Sequence, residues 1–176
     1  MEKMPDFNFI NNLTQDIINI YNIEVPIKNM NIVVKKLGGS VRENFVDKEY
    51  RRDSMLQKIC DGFRIYVREY DPRRVRFRIA QELGTLFLNM GYLIDESIWD
   101  KYKDNEIVDS SHPSLSVISI MMSNYFAHAF LMPKDEYIKV LNDKLYINDV
   151  AEYFNVTPEM VRGRGYDLKL LKRVFE

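Results

Sequence analysis

DPRRVRFRIAQELGTLFLNMG, residues 71–91, is the stretch whose reading decides the fold. Asp71 can accept hydrogen bonds from the free N–H groups of a helix start, and Pro72 suits the first helical position because no amide hydrogen is needed there. Val75, Ile79, Leu83, Leu86, Phe87 and Met90 recur at helical spacing, and Gly91 supplies a C-terminal stop. The pattern predicts a helix with one long apolar face turned to a core. Among the apolar residues stand Gln81, Glu82 and Thr85.

A zinc-peptidase helix carries His-Glu-x-x-His, because two imidazoles one turn apart grip one metal while the Glu works on its water. Here the same frame reads QELGT. RFRIAQELGTLFL (76–88) nevertheless resembles the active-site helix of the ImmA/IrrE family of metallopeptidases, typically RFTIAHELGHLLL. SNYFAHAFLMP (123–133) resembles that family's EAN-x-FA-x-x-LLMP segment, and INDVAEYFNVTPEMVRGR (147–164) resembles the small helical segment that follows it. The resemblance covers most of residues 8–168, with the N-terminal third matched in outline.

The resemblance implies a compact α+β, zincin-like domain: a small twisted sheet packed against the active-site-type helix and further helices. It divides the chain into residues 1–144 and a short helix-turn-helix-like unit, 145–176, packed on that body. Family members are often found in prophages and mobile elements, where they cleave a helix-turn-helix repressor. The zinc-ligand positions fall on Gln81, Thr85 and Met122, and Glu82 keeps the position of the base. All three ligand positions depart from the pattern, since Gln and Thr are weak neutral ligands and residues 120–123 offer no carboxylate.

At 176 residues and 46% hydrophobic, the chain can bury one sizeable core. A formal charge of -1 suggests neither a nucleic-acid wrapper nor an acidic tail. The single cysteine, Cys60, excludes an intrachain disulfide framework and fits a reducing compartment. No apolar run approaches the roughly 18 residues of a membrane span, so a soluble cytoplasmic protein is expected.

Residues 8–22 place Phe9, Leu13, Ile17, Ile18 and Tyr21 on one helical face, and 30–37 read as a short second helix ended by Gly38-Gly39. Residues 40–46 read as a strand, 47–55 as a loop, and 57–69 as two strands joined at a tight Asp61-Gly62 turn. Phe63, Ile65 and Val67 alternate toward the core, and Cys60 is expected to pack in or beside that sheet. Ile94, Ile98 and Trp99 are candidates to anchor a short helix; 103–114 read as a mobile surface loop. Six arginines between 64 and 78 form a basic region opposite an acidic one, Asp95 to Asp109. Residues 115–132 read as a helix buried on more than one side, ended by Pro133, with a further helix from Lys134. In the tail, two helices flank a turn at 155–157, with Val150, Tyr153, Phe154 and Val161 as an apolar seam.

For the cleft, the candidates are Glu82, Arg78, Asn124 and His128. The chain's two imidazoles are His112, in a polar loop, and His128, which points about 120° away from position 122 on the same helix. Neither stands at a motif position. Glu82 is expected to pair with Arg78 or a sheet arginine, or to hydrogen-bond to Gln81, Thr85 or Asn124. The expected function is a catalytically silent protein that acts by binding a regulatory or defence protein, with no metal and no cofactor. Two rivals stand beside it. One is an active peptidase using zinc at an atypical site, such as Glu82 with His128 and a loop carboxylate. The other is a DNA-binding regulator using the basic tail, Arg162, Arg164, Lys169, Lys172 and Arg173; direct DNA binding is the less expected.

Overall fold

The computed structural model describes residues 7–43, 52–144 and 146–171. Eight helices and four strands follow in the order α1 (Phe7–Ile20), α2 (Met30–Lys36), β1 (Gly39–Glu43), β2 (Ser54–Ile59), β3 (Gly62–Val67), α3 (Pro72–Leu88), α4 (Glu96–Trp99), β4 (Ile107–Val108), α5 (Val117–Leu131), α6 (Lys134–Asp143), α7 (Ile147–Phe154) and α8 (Pro158–Asp167). The sheet runs β1-β3-β2-β4, with β1 parallel to β3 and the other pairs antiparallel. This is the α+β architecture expected of a zincin-like domain.

The start of α3 follows its sequence closely. Asp71 accepts from the amides of Arg73 and Arg74 at 2.8 and 3.2 Å, and Pro72 opens the helix. The expectation of one apolar face is too narrow, because every residue from Glu82 to Phe87 is buried. The cause is that α3 lies between the sheet and α5, and so is covered on two sides. Helix α5 is likewise covered by α3, α1 and α8. Its Phe126 stacks on Phe87 with ring centroids 6.0 Å apart, and its Tyr125 stacks on Phe7 at 4.3 Å.

Gly84 sets how closely α3 and α5 approach. A Cβ there would stand 2.9 Å from both the Cα and the carbonyl oxygen of Ser123. Backbone cannot step aside as a side chain end can. Gly84→Ala should therefore destabilise the fold by about 1–2 kcal/mol despite the better helix propensity of alanine. Urea unfolding of both proteins checks this, and an unchanged or stabilised variant would show that the helix contact is slack.

Several expectations need correction. In α1 the buried residues are Ile10, Thr14, Ile17 and Ile18, while Phe9 is half exposed, so the inward face is rotated from the one read in the sequence. The first strand spans 39–43 and its expected end lies outside the described residues. Strand β2 begins at Ser54, inside the expected loop, and pairs so that Cys60 and Asp61 form the turn and Gly62 opens β3. Gly62 fits there because its φ is +146° and a Cβ would meet the Gly38 carbonyl oxygen. Being in the turn, Cys60 is exposed, with its thiol 3.2 Å from Asp104. Residues 103–114 contain β4, whose fully buried Val108 pairs with Leu56 at the sheet edge. Ile94 is exposed, and Ile98 and Trp99 alone of that trio pack on the core.

The tail follows the sequence outline, with Asn155 in the left-handed conformation as the α7 cap and Thr157 capping α8. Val150, Phe154 and Val161 are fully buried. Arg164 is not a surface cation: it is fully buried, donating to the Met132 carbonyl at 3.0 Å and the Asn11 side chain at 2.8 Å. Arg76, in the expected basic region, is also internal, and its guanidinium donates to carbonyls of residues 27, 28, 154 and 155.

Candidate functional site

Strand β2 and the middle of α3 place Ser54 opposite Glu82. The Ser54 hydroxyl donates to Glu82 Oε1 at 2.6 Å. Around them lies a cavity of about 180 Å³ lined by Arg52, Asp53, Ser54, Arg78, Gln81, Glu82 and Ser110. Glu82 is only 7% exposed. Burial pushes its carboxyl up from the ordinary value of 4.5 to about 7; the Ser54 hydrogen bond and Arg78 pull it back, and Asp109 adds to the rise.

Arg78 does not pair with Glu82. Its Nη2 is 2.8 Å from Asp53 Oδ2, and its Nη1 donates to Gln81 Oε1 at 3.0 Å. The i,i+4 spacing on the helix made Glu82 the obvious partner, but Asp53, delivered by the start of β2, competes successfully. Arg52 lies 3.9 Å from Asp109.

The three positions at which the resemblance places metal ligands differ in their surroundings. Gln81 lines the cavity beside Glu82 with its side-chain oxygen engaged by Arg78. Thr85 is buried and shares a hydrogen bond of 3.1 Å with Ser123, to which Asn89 also donates at 3.3 Å. Met122 is half-buried against the core. The polar contact between the two helices is therefore made by Ser123, not by the adjacent Asn124, and neither Met122 nor Asn124 lines the Glu82 cavity.

His128 belongs to a neighbouring cleft of about 330 Å³, lined by Arg74, Phe77, Arg78, His128, Thr157, Glu159 and Met160. Its Nδ1 is 2.8 Å from Asp167 Oδ2, and its ring packs against Phe77 and over Gly163. Arg78 borders both clefts. His112 is held by Glu106 and Ser114, away from either.

A zinc ion at the family's position would need donors from 81, 85 and 122. The residues present do not fit it. A guanidinium occupies the Gln81 oxygen, the Thr85 hydroxyl is spent on Ser123, and a thioether stands where a carboxylate is needed. Among the described residues no three His, Cys, Asp or Glu side chains are grouped to hold a metal ion. Sequence reasoning missed Ser54, Asp53, Ser110 and Ser123. The first three lie in segments read as loops, and only the pairing register of β2 brings Ser54 and Asp53 to α3.

A sequence model of the IrrE N-terminal-like domain matches residues 35–165. No curated protein matches the chain. Among solved structures, a Mycobacterium tuberculosis transcriptional regulator superposes with a TM-score of 0.59 at 20% identity, over 89% of this chain and 46% of its own. The chain thus spans less than half of that protein, and the likeness shows the fold. With the family match covering well over half of its length, the chain belongs to the ImmA/IrrE family and has its metallopeptidase-like fold.

Proposed function

We propose that this chain is a catalytically silent member of its family, acting by binding a regulatory or defence protein rather than by cleaving it. It suits a regulatory or inhibitory protein of a phage or mobile element, the setting in which such domains often occur. The observation that carries the reading is the rewiring of the ligand positions: Arg78 holds Gln81, and Ser123 holds Thr85. Without a metal, Glu82 has no hydroxide-generating ion to assist. Gripping a peptide and hydrolysing it use separable residues, so the clefts can still bind. The burial of Arg164 takes one cation away from a DNA-reading surface and favours protein binding over the transcription-factor alternative.

The test is metal content. Protein purified without chelators should hold far less than one zinc per chain. The Gln81→His, Thr85→His, Met122→Glu triple variant, which restores the ligand types of a His₂Glu site, should gain zinc. Stoichiometric zinc in the unmodified protein, lost on changing Glu82 or His128, would overturn the reading in favour of an atypical peptidase.

A further inference from the structure

Glu82 is more than nine-tenths buried, and its two oxygens are treated unequally. Oε1 accepts from Ser54, whereas Oε2 makes no hydrogen bond with any described residue, on a side chain that lines the cavity. A carboxylate held in a mostly buried place favours a donor or a cation at the oxygen that its own fold leaves open. The charges nearby are already matched. Arg78 is held by Asp53 and Arg52 lies against Asp109, which leaves Glu82 as the carboxylate of the cavity with no ion pair among the described residues, though Arg78 is near enough to favour its charge.

We infer that this cavity is a receptor for a primary ammonium group, delivered as a lysine side chain of the bound partner. The inference rests on the proposed function, since a metal ion held beside Gln81 and Glu82 would claim the same carboxylate. The chemistry selects the ammonium. Arginine binds carboxylate best as a two-pronged fork, and Ser54 already holds one prong's oxygen. An ammonium is a compact point charge with three donors. One can go to Glu82 Oε2, and the Ser54 and Ser110 hydroxyls in the same lining are acceptors for the others. A volume of about 180 Å³ is several times the roughly 30 Å³ of one water, room for the end of a long side chain. The apolar stem would lie toward the cleft mouth.

The probe is the tripeptide acetyl-Ala-Lys-Ala-amide, titrated into the full-length protein and followed by amide chemical shifts, with zinc measured on the same sample. Saturable shifts are expected at Ser54, Gln81 and Glu82 and not at Phe77 or His128. The norleucine counterpart, which keeps the four-carbon stem and lacks the ammonium group, should bind at least tenfold more weakly, and the arginine counterpart more weakly than lysine. Glu82→Gln should abolish the response while keeping the amide spectrum of the folded protein. Equal binding of norleucine, tighter binding of arginine, shifts confined elsewhere, or an undiminished response in the Glu82→Gln variant would each overturn the inference. The wild-type comparisons stand even if the variant misfolds. Metal-free protein without lysine-dependent shifts defeats this inference alone, whereas stoichiometric zinc defeats the proposed function beneath it.

Discussion

Replacing Arg76 by methionine should cost about 3–5 kcal/mol of folding stability, a large share of the roughly 5–15 kcal/mol that holds a typical domain together. Arg76 is 6% exposed and is paired with no described carboxylate. It is held instead by four backbone carbonyls: Nε donates to Asn155 O at 3.0 Å, Nη1 to Lys28 O at 3.2 Å, and Nη2 to both Ile27 O and Phe154 O. Two of these carbonyls end α7, where the helix dipole concentrates negative charge that a cation offsets. One side chain on α3 thus ties the segment before α2 to the end of α7. Methionine keeps much of the volume but leaves the carbonyls buried without donors, each costing about 1–3 kcal/mol in the worst case. Lysine, with a single ammonium, should recover only part of the loss. A urea midpoint shift worth under about 1 kcal/mol would mean that water replaces the guanidinium.

How much of this was legible in the sequence depends on whether the cause was local. The α3 cap, the α7–α8 turn and the buried alternation of β3 are written in short-range chemistry: Asp-Pro before a periodic run, Asn and Thr-Pro at a turn, Phe63-Ile65-Val67. Arg76 and Arg164 were not legible, because a buried arginine and a surface one look alike in a chain. What separates them is which carbonyls arrive from 32 or more residues away. The same holds at the site. Gln81 and Thr85 were recognisable by their places in the motif, but their partners Arg78 and Ser123 were not. Glu82's link to Ser54 spans 28 residues and depends on the β2 register. Local reading also favoured an Arg78–Glu82 pair, and tertiary structure gave Arg78 to Asp53 instead.

The second large effect is expected from Glu82→Gln, and it should depend on pH. Glu82 titrates at about 7 when folded, against 4.5 ordinarily, because its burial disfavours the charge. Between those values the folded protein holds a proton that the unfolded chain has released, so this group's contribution to stability declines as pH rises through the window. Below about pH 4.5 both states are protonated and Glu82 costs nothing on this account. Above about pH 7 the full penalty applies, about 3 kcal/mol at roughly 1.4 kcal/mol per pH unit. Glutamine has nearly the same shape, can still accept from Ser54, and carries no charge. The variant and the wild type should therefore be nearly equal in stability at about pH 4.5, with the variant ahead by about 3 kcal/mol at about pH 8. The difference between the two, measured by urea unfolding across that range, cancels the other carboxylates common to both proteins. A difference that stays flat with pH, or a variant less stable at the alkaline end, would show that Glu82 is not held at a desolvation cost. A gain of the expected size would mean that this fold retains a destabilising carboxylate beside Gln81 and Thr85, as a binding group requires and a structural one does not.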